Sequence, residues 1–175
     1  MKISELEKKL LRKFPAKTAM DWDKTGLLVG DPNAKINKIV LALDPSVSSI
    51  RLAKNNGANL VITHHPAFLG EIEKFVPGNS ALNNAGAVVY EAIRSNVALM
   101  NFHTALDVSA QGGETLAKIL DLRVDKVLVP TDGVSQNLSK RGFGRVCLPK
   151  AKDKNITLER LGKRCAKVFG RQPRI

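Results

Sequence analysis

The chain has 175 residues, 43% hydrophobic and 25% charged, a make-up that fits one ordinary folded core and excludes a disordered polymer. Its apolar runs, such as IVLAL at 39–43, fall far short of the about 20 residues a membrane helix needs. The net charge of +12 suggests nucleic acid until it is divided: residues 1–137 hold 16 Lys+Arg against 14 Asp+Glu, and residues 138–175 hold 12 against 2. The basic excess therefore belongs to the C-terminal segment, where a solvated surface is the ordinary reading and polyanion binding the alternative.

In chain order, Ser4 with Glu7 reads as a capping box, and Ile3, Leu6, Leu10 and Phe14 recur at helical spacing until Pro15. No apolar leader pattern opens the chain, and Cys147 and Cys165 make no C-x-x-C pair, so reduced thiols in a cytoplasmic protein are expected. GLLVG is a short strand, KIVLALD (38–44) a buried one, PSVSSIRLAKNNG a helix closed by Gly57, and NLVIT (59–63) the next strand. A helix over 80–96 leads to the strand VALMNF (97–102), and GGETLAKILDL forms a further helix. DKVLVP and GRVCLP read as later strands. TLERLGKRCAKVFG is a last helix, with Leu158, Leu161, Cys165, Val168 and Phe169 facing inward.

Strands alternating with helices over 36–122 predict an α/β fold of βαβ units, with a largely parallel or mixed sheet and helices on both faces. The predicted domains are a metal-binding α/β domain over 1–137 and a basic segment over 138–175.

All three histidines of the chain fall at one place in this scheme. His64 and His65 end the strand NLVIT, and His103 follows VALMNF, so they share the carboxyl rim of the sheet, where α/β folds bind ligands. Asp107 comes four residues later. Imidazole with carboxylate suits Zn, Fe, Mn, Co or Ni, and the lack of a nearby cysteine argues against a thiolate site. Adjacent residues of a regular strand point to opposite faces, so His64 and His65 can act together only past the strand end, where Pro66 fixes the exit. They can then serve two neighbouring ions bridged by Asp107; ions about 3.5–4 Å apart are the usual water-activating pair. His103 reads as a ligand, as a group orienting a ligand, or as a proton carrier. Asp44, closing KIVLALD, lies on that rim as well; it reads first as the N-cap of the helix that follows it, and otherwise, with Asp23, as a group that would complete the site.

The segments DWDKTGLLVGD, LALDPS, NLVITHHPAFLG and NFHTALD, in this order and spacing, resemble the YbgI-like or Nif-three-like proteins, often called GTP cyclohydrolase 1 type 2. The resemblance runs from about residue 3 into the last helix. It implies an α/β fold, a two-metal site and a ring-shaped hexamer. By motif match it implies His64, His65 and Asp107 as ligands, with His103 at the site. Where the family usually has Asn, this chain has Lys24 and Ala105; Lys24 brings a positive charge near the site. The family's second half supplies a further His and Glu spaced H-x-x-x-E. No histidine follows His103, so the expectation is a truncated or split member that lacks those ligands.

Three functions compete on these residues. The first is a metal-dependent hydrolase acting on a nucleotide-like or phosphorylated substrate, with His103 moving protons and lysines holding the anion. The second is a non-catalytic metal-binding or metal-delivery protein. The third is a nucleic-acid module using the basic segment, where Phe143 and Phe169 are the only aromatics for stacking. No phosphate-loop or dinucleotide motif is present.

Overall fold

The first helix, α1 (Ile3–Lys13), begins before Ser4, so Ser4 lies inside it rather than capping it. Burial of Ile3 (1% exposed) draws the helix back to that residue. The predicted box is replaced by Glu5, whose Oε2 accepts the backbone N–H of Lys2 at 3.0 Å. Glu7 is used elsewhere: its Oε1 accepts the N–H of Leu27 at 2.8 Å.

The computed structural model describes residues 1–78, 84–131, 133, 136 and 139–174, and the chain divides into two compact units, Met1–Leu106 and Asp107–Ile175. In the first unit, β1 (Gly26–Val29), β2 (Ile39–Ala42), β3 (Leu60–Thr63) and β4 (Ala98–Asn101) form one sheet in the order β1-β4-β3-β2. β2 and β3 pair in parallel, as do β3 and β4, with Val40 opposite Val61 and Leu60 opposite Ala98. Helices α2 (Val47–Asn55) and α3 (Ala85–Ser95) make the two crossovers, so the predicted βαβ units are present. β1 runs antiparallel to β4 and makes the sheet mixed. Gly57, at φ +71°, follows α2 as its composition suggests. Residues 80–83 of the helix expected over 80–96 lie outside the described residues; the rest opens at Asn84, whose side chain accepts from the Ala87 N–H at 2.9 Å.

Alternation along the strands gives the sheet two apolar faces. Val61 and Leu99 pack with Ile50, Ala53, Val88 and Ala92 under α2 and α3. Leu60, Ala98 and Met100 pack with Ile3, Leu6 and Leu10 under α1. Each fully buried Leu, Ile or Val here contributes about 1.5–3 kcal/mol by leaving water. The edge strand β2 is the exception: Leu41 is 77% exposed and Leu43, just beyond it, 62%. Gly26 is required where β1 begins, because it sits at φ +103° and a Cβ there would lie 2.6 Å from the Glu7 carboxylate.

In the second unit, α5 (Ala110–Ile119) precedes an antiparallel ribbon of β5 (Leu122–Pro130) and β6 (Gly142–Pro149), and α6 (Leu158–Phe169) follows. β5 is longer than expected and takes Leu122 from the preceding predicted helix. The stripe expected to face inward on α6 is only partly covered. Leu161 and Cys165 are half-buried, but Leu158, Val168 and Phe169 are exposed, since a two-stranded ribbon offers little surface to bury a helix. Polar contacts anchor α6 instead: Arg164 donates to the Leu120 carbonyl at 2.9 Å and to Asp153 at 2.6 Å. Among the described residues, no helix is long and apolar enough to cross a membrane.

Candidate metal centre

β3 ends at Thr63, and the backbone of the next two residues stays bonded to the end of β2 and the residue after it. The His64 N–H donates to the Ala42 carbonyl at 3.3 Å and the His65 N–H to the Leu43 carbonyl at 3.0 Å. The Thr63 hydroxyl, buried at the strand end, donates to the His65 carbonyl at 2.6 Å and bends the exit. This bend overcomes the alternation that would separate neighbours in a strand: the His64 and His65 ring centroids lie 4.9 Å apart.

β4, in register beside β3, delivers His103 to the same rim. Its ring lies 5.1 Å from that of His64 and 5.4 Å from that of His65, both edge-on. One ligand nitrogen from each of the three rings lies within 4.8 Å of the others, so one small cation is within reach of all three. This is the metal-suited group found among the described residues, and it joins all the histidines the sequence reading singled out.

The second ring nitrogens show how the rings are held. His64 Nδ1 lies 3.2 Å from the Phe102 carbonyl, which can only accept, so Nδ1 carries the hydrogen. His65 Nδ1 lies 2.6 Å from the Asp44 carboxylate, and His103 Nδ1 lies 3.1 Å from that of Asp23. In each ring, donation from Nδ1 assigns the lone pair to Nε2, the arrangement by which metal-binding histidines are oriented in general. Three acceptors from three separate parts of the chain thus favour the same neutral tautomer in all three rings. The donor set fits a divalent transition metal.

The two carboxylates differ in setting. Asp44 is 64% exposed and His65 43%. The N-cap expected of Asp44 belongs to Ser46, whose hydroxyl accepts the Ser49 N–H at 3.0 Å; two residues nearer the helix, Ser46 leaves Asp44 available to His65. The Asp23 side chain is buried and accepts from the N–H of Lys24 at 2.8 Å, the N–H of Thr104 at 2.9 Å and the Thr104 hydroxyl. Burial pushes the Asp23 carboxyl up, but the hydrogen bonds from Thr104, His103 and Lys24 outweigh it and hold the group below its ordinary value of 3.8. The same bonds cap α4 (Thr104–Asp107), the short helix that starts directly after His103.

Asp107 closes α4 and opens the second unit; it is not one of the three grouped residues. Lys24, half-buried, has its ammonium 5.5 Å from the centre of the Phe68 ring. Trp22, 55% exposed, meets the His103 ring edge-on at 5.8 Å. The sequence reading passed over Thr63 and held Asp23 only as a group that could complete the site. The one signal for Asp23 was its place inside DWDKTGLLVGD, a segment that otherwise reads as a turn.

The chain is similar to several known proteins. A "GTP cyclohydrolase 1 type 2 homolog" of Streptomyces coelicolor is 35% identical over 147 residues, covering 83% of this chain and 50% of that protein. Another of that name, from Staphylococcus aureus strain MRSA252, is 35% identical over 70% of this chain and 32% of its own length. The chain thus spans about half the length, or less, of these relatives. Among solved structures, Staphylococcus aureus protein SA1388 superposes on 97% of this chain and 66% of its own with a TM-score of 0.81 at 21% identity. Reduced HcgD from Methanocaldococcus jannaschii covers 95% of this chain and 60% of its own, with a TM-score of 0.73 at 28% identity. The match to the Duf34/NIF3 (NGG1p interacting factor 3) family extends over residues 1–175, and the chain belongs to that family.

Proposed function

We propose that the three-histidine centre holds divalent transition-metal ions, two in the complete site, drawn from Zn, Fe, Mn, Co or Ni. The observation that carries this reading is the grouping itself: one nitrogen from each of the three rings lies within 4.8 Å of the others, while each Nδ1 faces its own acceptor. His64, His65 and His103 are the nitrogen donors in this reading, and Asp107 joins them through its match to the family motif. The metal-binding role falls to residues 1–137, with 138–175 as an appended basic segment.

The activity we assign is hydrolysis of a nucleotide-like or phosphorylated substrate, supported by the name carried by the relatives. A bound divalent ion supplies Lewis acidity and makes a water acidic near neutral pH. The chain's own residues hold the ions through Nε2, and Lys24 brings a cation to the neighbourhood. His103 has two possible duties, nitrogen donor or proton acceptor at Nε2. Exposed apolar residues such as Leu41 and Leu43 are consistent with a homo-oligomer, a hexameric ring by family resemblance.

One observation favours a second reading, in which the centre holds or hands on ions without turnover. Among the described residues only three donors group there, and His65 is half-exposed.

Elemental analysis combined with native mass spectrometry tests the metal reading. His64→Ala and His65→Ala should each lose most of the bound transition metal with the fold retained; unchanged metal content in both variants rules the site out. His103→Ala separates its duties: a donor costs metal, whereas a proton carrier costs turnover with metal retained. Turnover of a nucleotide by the loaded chain separates hydrolysis from metal delivery.

A further inference from the structure

The three acceptors behind the histidines are not equivalent. The Phe102 carbonyl is backbone and has no side-chain substitute, and Asp44 is a largely exposed carboxylate attached to its ring by one bond. Asp23 is enclosed and engaged on both oxygens. Its Oδ2 accepts from the Thr104 N–H at 2.9 Å and from the Thr104 hydroxyl, and its Oδ1 accepts from the Lys24 N–H at 2.8 Å. Two of these donors are backbone groups that can do nothing but donate, one on each oxygen. The carboxylate is therefore fixed as an acceptor along both edges, and the nitrogen 3.1 Å from Oδ1, His103 Nδ1, must bring the hydrogen.

We propose that Asp23 is a positioning residue that locks His103 in the Nδ1–H tautomer, presents Nε2 to the ion and thereby sets the metal affinity of the centre. The proposal rests on the reading of His103 as a metal donor. Asp23 touches no ion; it acts through His103 alone. Without it, the imidazole is free to place its hydrogen on Nε2, and a nitrogen that carries a hydrogen has no lone pair for a metal. Asp44 stands in the same relation to His65, but water reaches it and replaces it more readily, so the buried pair carries the larger effect.

The experiment has two parts, and the first uses no metal. The imidazole nitrogen shifts of the ion-free chain, read by 15N NMR, report the tautomer of each histidine. His103 is expected in the Nδ1–H form, moving to a mixture with Nε2–H in Asp23→Ala. A dominant Nε2–H form of His103 in the unchanged chain overturns the proposal, and this result needs no variant to fold.

The second part is a Co2+ titration of the unchanged chain, Asp23→Ala, His103→Ala and the double variant. Loss of the orienting group should weaken Co2+ binding by about 10–100-fold. Because Asp23 acts through His103, its substitution should have no further effect once His103 is alanine. A loss that persists in the His103→Ala background marks Asp23 as merely structural and overturns the proposal, as does unchanged affinity in Asp23→Ala. Failure of the unchanged chain to bind Co2+ at all would instead sink the metal reading, a different result from a wrong tautomer.

Discussion

The two units of this chain use their residues in opposite ways. The first unit carries 13 Lys+Arg against 9 Asp+Glu and covers both faces of its sheet with helices. The second carries 15 against 7. Among its described residues the buried hydrophobics are Val108, Ala117 and Val127, while Leu116, Leu128, Leu158 and Phe169 stay exposed. The histidines lie in the well-packed, less basic unit. Three rings can share one point only if the strands that carry them are held in register, and β3 and β4, buried on both faces, provide that. The charge that first suggested a polyanion partner is concentrated in the part that has no such frame.

The sharpest way to break this contrast is a matched pair of truncations. Leu60→Ala, at a fully buried position of β3, should cost about 2–5 kcal/mol and lower the melting temperature by several degrees. Leu158→Ala, 64% exposed on α6, should stay within about 0.5 kcal/mol. Equal losses in thermal denaturation would mean that α6 has a covered face and that the two units are alike after all.

A second comparison concerns charge. Replacing Lys150, Lys152 and Lys154 by Gln should leave the metal content by elemental analysis unchanged. Binding to DNA that falls steeply with salt and disappears in this variant would restore the nucleic-acid reading for the basic segment.

The smallest expected effect lies in acid. Asp121, hydrogen-bonded to Lys150 at 2.5 Å and Lys152 at 2.6 Å, is lowered from its ordinary 3.8 to about 2. A lowered carboxyl contributes stability that is complete above its ordinary value and lost as pH falls through the lowered one. The melting-temperature difference between the unchanged chain and Asp121→Asn should thus be small but constant above pH 3.8 and vanish near about 2. A difference that grows on acidification would reverse the sign of the assignment.

Much of the first unit was legible in the chain. KIVLALD, NLVIT and VALMNF are short apolar runs separated by helical patterns, and their periodicity alone implies parallel crossovers with His64, His65 and His103 at one rim. Asp44 was legible as a neighbour on that rim and Asp23 as a candidate to complete the site, but their bonds to the rings were not, because they are made through space: Asp44 lies 21 residues from His65, and Asp23 80 residues from His103. Local pattern even misdirected the reading, since Asp44 stands where a cap belongs while Ser46 takes the role. The Ser4–Glu7 box failed similarly, because Glu7 answers to the N–H of Leu27 rather than to its own helix. The exposure of Leu158, Val168 and Phe169 was hidden for a different reason: an amphipathic stripe shows which face is apolar and not what lies against it.

The contact between Asp23 and Thr104 also bears on how the molecule comes into being. It spans 81 residues, and the bond from His64 to the Phe102 carbonyl spans 38. Closures of that length cost chain entropy that only a largely assembled sheet repays, so they belong to the late stages of folding. A chain emerging from synthesis exposes His64 and His65 long before residue 104 exists to cap α4 and fix the third ring. An ion meeting that nascent chain finds imidazoles whose hydrogens are not yet assigned. The grouping of the three rings is thus a late product of folding, reached only when the first unit is complete.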